Sequence, residues 1–240
     1  MAYELFYWPG LQGRGEFVRL ALEDAGAPYV DVARERGVSE MVAILRSADD
    51  PRAPFAPPFL RDGDVIVSHA ANILAYLGPR LGLAPSGEAE RFFAHGLQLS
   101  ITDLVKEVHD THHPIATSLY YEDQKEAAKA RSSAFLSERM PKFLGYFERV
   151  LASNPAGRGH AIGTDASHVD LSLFQVLEGL RYAFPRASAN FSAAYPLLSA
   201  LGEVVRARPR LAAYLDSSRR IPFNETGIFR RYPELDQDPI

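Results

Sequence analysis

A chain of 240 residues with 47% apolar content can bury a large core as one domain or two, and 30 acidic against 26 basic side chains leave a net charge of -4. That sign and size argue against a surface built to grip phosphates, so nucleic acid is not an expected partner. Cysteine is absent, which excludes disulfides, thiolate metal sites and a cysteine nucleophile; any sulfur chemistry must use a ligand's sulfur.

The segment from Met1 to Trp8 has no basic region, long apolar stretch or small-residue cleavage site, and no apolar run is long enough to span a bilayer. A soluble, cytoplasmic protein is expected. Residues Tyr3 to Tyr7 alternate like a short strand, and Trp8, Pro9, Gly10 and Gly13 mark the loop after it. Phe17, Leu20, Ala21 and Ala25 then share one helical face, with Gly26 and Pro28 as stop signals. Tyr29 to Val32 reads as a second strand, and Glu40 to Leu45 as a short helix with Ser39 as its N-cap. A proline-dense loop, Asp50 to Pro58, leads into two apolar segments around Asp62 and Gly63, a strong hairpin signal. A helix from Ala70 to Leu77 closes the unit. The order is βαβαββα, a thioredoxin-like α/β domain with a mixed sheet.

The breaker-rich stretch from Gly78 to Gly87 is the expected boundary, giving units 1–79 and 88–240. From Arg91 onward the pattern is helical, so the second unit reads as an all-helical bundle. Phe143, Phe147, Val150 and Leu151 lie on one face of a long helix that starts near Asp123. Ser167 with Asp170 three residues on is a variant capping box, opening a helix that is apolar nearly all round and belongs at the centre of the bundle. Phe223, Ile228, Phe229 and Tyr232 are too apolar for a disordered tail and are expected to pack on the bundle.

Tyr7 stands at the carboxyl end of the first strand, where open α/β sheets bind ligands. By itself it could equally be a strand aromatic. His109, His112 and His113 fall on one helical face near Asp103, Glu107 and Asp110, the most metal-like spacing in the chain. Without HExxH or a similar signature, no metal is expected there, and the histidines read as cleft-lining or hydrogen-bonding groups.

Taken together, these residues resemble the cytosolic glutathione transferase family, of the tyrosine type and bacterial-like, over essentially the whole chain. Tyr7-Trp8-Pro9 looks like its catalytic tyrosine segment, and Gly13-Arg14-Gly15 like the start of its first helix. Pro58 to Gly63 looks like its cis-proline and hairpin, His69 to Leu77 like its third helix, and Ser167 to Asp170 like its capping box. The resemblance implies glutathione as substrate, no metal cofactor, a small electrophile as second substrate and a homodimer. It implies that the Tyr7 hydroxyl hydrogen-bonds the glutathione sulfur and lowers its pKa. From a thiol value of about 8.5, roughly 3% is thiolate at neutral pH, and a drop of two units raises that to about 75%.

The same resemblance assigns Arg14, Pro57, Pro58, His69, Ala70 and Asp103 to glutathione, with Asp103 reaching the glutathione of the partner subunit. It places Trp8, Tyr120 and Tyr121 toward the electrophile. Two positions depart from the family pattern. Pro57, before the cis-proline, has no N–H to offer the cysteinyl backbone, and His69-Ala70 replaces a Gln or Glu followed by Ser or Thr at the γ-glutamyl carboxylate. These departures keep a second reading open, a binding or scaffold protein on the same fold without the reaction.

Overall fold

The computed structural model describes residues 2–238. Strand β1 (Tyr3–Phe6) is followed by helix α1 (Gly15–Ala25), β2 (Tyr29–Asp31), α2 (Val32–Arg36), α3 (Ser39–Leu45), the hairpin β3 (Phe59–Asp62) and β4 (Val65–Ser68), and α4 (Ala70–Leu81). The sheet order is β2-β1-β3-β4, with β1 parallel to β2 and the other pairs antiparallel. Strand alternation sends Leu5 to one face, where it packs with Val18, Leu22, Leu60, Val67, Ile73 and Leu77 under α1 and α4. Phe6 goes to the other face, stacked on Phe59 at 4.5 Å and covered by Val32 and Met41. The register pairs Asp62 with Val65, so the two turn residues are Gly63 and Asp64, one place later than the Asp62-Gly63 signal, and Gly63 takes φ 58 at the first of them, where such a turn favours glycine.

Several local expectations are corrected. Strand β2 stops at Asp31 because Val32 to Arg36 turn into a five-residue helix too short to leave a periodic signal. Ser39 is the first helical residue of α3, with Val38 as the cap and no side-chain capping bond. Helix α4 continues through Gly78 and Pro79 to Leu81, and ends at Gly82 in the left-handed conformation.

The remainder is helical: α5 (Glu88–Asp110), α6 (Lys125–Ala134), α7 (Met140–Ser153), α8 (His168–Ala183), α9 (Phe191–Ala194), α10 (Pro196–Arg206) and α11 (Pro209–Leu215). The long helix expected from Asp123 is α6 and α7 joined by a π-helical turn at Phe135–Arg139. Pro141 can donate no backbone hydrogen bond and would crowd the carbonyl four residues back, that of Ser137, which lies within the widened turn. Helix α8 is central and buried on nearly every side. The buried Asp170 carboxylate accepts the backbone N–H of Ser167 at 2.7 Å and of Ala161 at 2.8 Å, and the Ser167 hydroxyl at 3.0 Å. The tail packs as its apolar content demands, with Ile228 and Phe229 buried in the main core and Phe223 and Tyr232 packed against it.

Candidate functional site

Two residues beyond Leu5, Tyr7 emerges on the same side of the sheet as α1. Its ring is 5% exposed and is enclosed by Gly13-Arg14-Gly15. A Cβ at Gly15 would stand 2.6 Å from the Tyr7 ring and one at Gly13, whose φ is +47, 2.0 Å from the hydroxyl, so only glycine allows this approach. Arg14 is the residue that caps α1, and its backbone N–H donates to the Tyr7 hydroxyl oxygen at 2.9 Å. The phenol oxygen thus has its donor from the protein, and its own hydrogen is left to give away. Burial pushes the Tyr7 pKa above the ordinary 10.0, against the lowering effect of the Arg14 amide. At neutral pH the group is a fixed, neutral hydrogen-bond donor.

Arg14, His69 and Ala70 line one narrow cleft, with a cavity volume of about 10 Å³, together with Phe17 and with Gln98, Ile101, Thr102 and Val105 of α5. Those α5 positions follow the i, i+3, i+4, i+7 spacing of one helical face, the signal by which the sequence could have found them. Asp103 is exposed on α5, one residue around from Thr102 and off the cleft face. The Pro57–Pro58 bond is cis, and the Pro58 carbonyl accepts the His69 N–H at 3.1 Å, so the loop before β3 and the cap of α4 meet. His69 stands at φ 72 and ψ 127, the one non-glycine residue with positive φ among the described residues. Such a conformation costs about 1–3 kcal/mol and concentrates at functional positions. Ala70 follows as the first residue of α4, opening a helix N-terminus whose amides favour an anion.

The residues assigned to the electrophile are more scattered. Trp8 is 41% exposed beside the loop at Gly10, whose carbonyl accepts a hydrogen bond from Asn224 at 2.9 Å. Tyr120 is 78% exposed. Tyr121 is buried, its ring stacked on Tyr232 at 4.0 Å and its hydroxyl donating to Glu234 at 3.0 Å, so it holds the tail in place. A wider concavity lies elsewhere, between Gly82–Gly87 and Ile162–Ser167, and includes none of the residues around Tyr7.

His109, His112 and His113 converge at the carboxyl end of α5. Burial holds His112 down to about 2 and His109 to about 4, with the positive charges of Arg230 and, for His109, Arg14 adding to the effect. All of these imidazoles are therefore neutral at physiological pH, His113 being lowered by the same burial and by Arg230. His112 Nε2 meets the Ile228 carbonyl at 2.8 Å, a contact across 116 positions that no local pattern announces.

Residues 109–218 match the family model described as "Glutathione S-transferase, C-terminal domain". The chain is 30% identical over 220 residues to glutathione S-transferase P 1 of Xenopus laevis, covering 91% of this chain and 93% of that one. It is 23% identical to a glutathione S-transferase of Plasmodium falciparum, covering 90% and 96%. The solved Pi-class glutathione S-transferase of Onchocerca volvulus superposes with a TM-score of 0.73 at 22% identity, covering 95% and 99%. These relatives are eukaryotic and two carry P or Pi in their names, so they lend no support to the expectation of a bacterial-like member. With a thioredoxin-like four-stranded unit, a helical unit and full-length similarity of this extent, the chain belongs to the glutathione S-transferase family.

Proposed function

We propose that this chain is a glutathione transferase in which Tyr7 donates a hydrogen bond to the glutathione sulfur and holds it as thiolate for attack on a small apolar electrophile. One observation carries this reading: the Tyr7 oxygen already accepts the Arg14 N–H at 2.9 Å, which leaves the phenolic hydrogen as a donor kept protonated by burial. Residues 1–79 bind glutathione and 88–240 supply the electrophile surface, with Trp8 and Tyr120 at its rim. Arg14, His69, Ala70 and the cis Pro57–Pro58 segment surround the peptide, the γ-glutamyl carboxylate lying at the amino end of α4. No helix among the described residues is long and apolar enough to cross a membrane, in keeping with a cytoplasmic enzyme. The chain acts as a homodimer, in which Asp103 reaches the partner's glutathione; Phe55, Phe92 and Phe93 are large exposed apolar groups that an interface would cover.

The departures at Pro57 and Ala70 favour the second reading, a non-catalytic binding protein, because each removes a donor worth about 0.5–1.5 kcal/mol, or up to about 3 against a charge. Calorimetric titration with glutathione, paired with turnover of a small aryl halide, separates the two. The enzyme reading requires dissociation constants from micromolar to millimolar, about -8 to -4 kcal/mol, together with turnover. Ala70→Ser restores a hydroxyl at the helix start and is expected to tighten binding by about 1 kcal/mol, close to fivefold. Binding without turnover leaves the scaffold reading standing, and affinity indifferent to both Ala70→Ser and His69→Gln places the carboxylate elsewhere.

A further inference from the structure

Beyond the glutathione cleft, the most concentrated set of ligating side chains is the histidine triad at the end of α5. One ring nitrogen from each of His109, His112 and His113 lies within 4.8 Å of the others. The spacing i, i+3, i+4 stacks them over one turn, and the His113 N–H still donates to the His109 carbonyl at 3.2 Å, so the turn continues past Asp110. Their ring centroids stand 4.8 to 5.1 Å apart.

The orientation of the rings is more specific than their proximity. His112 Nε2 meets the Ile228 carbonyl at 2.8 Å; a carbonyl can only accept, so this nitrogen carries the hydrogen and Nδ1 carries the lone pair. That lone pair faces His113 Nδ1 at 2.5 Å. A backbone carbonyl that fixes the tautomer of a histidine while its other nitrogen points at further donors is the outer-shell arrangement of metal-ligating imidazoles. The 23-residue helix α5 adds its negative end, and the Asp110 carboxylate lies 3.8 Å from His109 Nδ1. Arg14 and Arg230 oppose a cation here. Arg230 is tied to backbone carbonyls, its Nε donating to Gly227 at 2.8 Å and Nη2 to Thr226 at 3.4 Å.

We propose that His109, His112 and His113 form a three-imidazole site for a first-row transition-metal dication of the zinc class, with the fourth position open to water. Neutral nitrogen donors suit zinc, copper, nickel and cobalt over magnesium or calcium, and three protein ligands leave an exchangeable position. With metal–nitrogen bonds of about 2.0–2.1 Å, tetrahedral ligands stand about 3.4 Å apart. His112 stays on the Ile228 carbonyl while side-chain rotations of His109 and His113 bring the triad to that spacing. The ion thereby fastens the tail at Ile228 to the end of α5. This site is independent of the role of Tyr7.

The test uses the full-length protein, stripped by chelator and dialysed. Zinc chloride is titrated by calorimetry, cobalt(II) by its visible d–d absorption, and the melting temperature is recorded with and without excess zinc. Expected are one equivalent bound per chain at micromolar affinity or tighter, a cobalt spectrum of tetrahedral intensity, and a higher melting temperature with zinc. His112→Ala leaves the Ile228 carbonyl without its donor and could unfold the tail, so His109→Gln is the companion variant. It is expected to weaken zinc at least about tenfold, the lower end of what losing even an outer-shell partner costs. A flat zinc titration would mean that His112 and His113 share a hydrogen bond only, and binding that survives both variants would place the ion elsewhere; either result overturns the site.

Discussion

Three neighbouring residues explain why Tyr7 differs from an ordinary strand aromatic. Gly13 and Gly15 let the chain fold against the phenol, and Arg14 between them presents its amide to the oxygen. That Tyr7 stands at the end of the first strand was legible in the sequence. The glycines looked like loop punctuation, because a one-dimensional pattern does not show which side chain a backbone must touch. A methyl group at Gly15 would overlap the Tyr7 ring, whose nearest atoms lie at 2.6 Å. Gly15→Ala is therefore expected to lose about 1–3 kcal/mol of stability in urea unfolding and to impair turnover as the ring is displaced. An unchanged midpoint with full activity would show that the ring is not fixed by this contact. Helix α5 turns Gln98, Ile101, Thr102 and Val105 toward the cleft of its own chain and leaves Asp103 exposed, as a residue that reaches a partner subunit must be.

At the scale of elements, the order βαβαββα followed by helices was readable because the hydrophobic period switches from two to three or four residues. Helix α2 was not, since five residues give no period. Pro79 was misleading because a proline near a helix end resembles a boundary while α4 continues through it. The capping box at Ser167 was legible, but its reach was not: Asp170 also holds the Ala161 amide, and its carboxylate lies 3.6 Å from His160 Nδ1. That carboxylate raises the His160 pKa above its ordinary 6.5. With the folded value above the unfolded one, the pair contributes fully below about pH 6.5, and its contribution fades as pH rises through the folded value. The stability of the wild type relative to His160→Gln should thus fall between mildly acidic and mildly alkaline pH, by no more than about 1 kcal/mol because the imidazole is partly exposed. A difference that grows with pH would contradict the assignment.

Across the whole molecule, the two units are joined by buried polar groups that composition could not reveal, since charged residues are read as surface until a structure shows otherwise. Arg19 is fully buried between Glu16 at 3.2 Å and Asp31 at 2.7 Å. Glu16 in turn accepts the Tyr214 hydroxyl at 2.8 Å and pairs with Arg220 at 2.5 Å. Gln12 bridges Gln175 at 2.7 Å and the Ile221 carbonyl at 2.5 Å. Helix α1 is thereby tied to α8, α11 and the tail, and breaking one partner of such a buried network costs about 3–5 kcal/mol. The units are expected to unfold together. Trp8, the single tryptophan, reports on the first unit, while far-ultraviolet circular dichroism is dominated by the helices of the second. Coincident urea transitions by the two probes support the coupling, and two separated midpoints would refute it.

In the proposed reaction a protonated Tyr7, held by the Arg14 amide, stabilises the thiolate of bound glutathione. The most direct measurement is the pH titration of that thiolate, followed by its ultraviolet absorbance in the binary complex of wild type and Tyr7→Phe at saturating glutathione. Expected are a midpoint about two units below the free thiol in the wild type and a return toward the free value, about 8.5, in the variant, with turnover at neutral pH lower by at least about tenfold. Equal midpoints in the two proteins would contradict it.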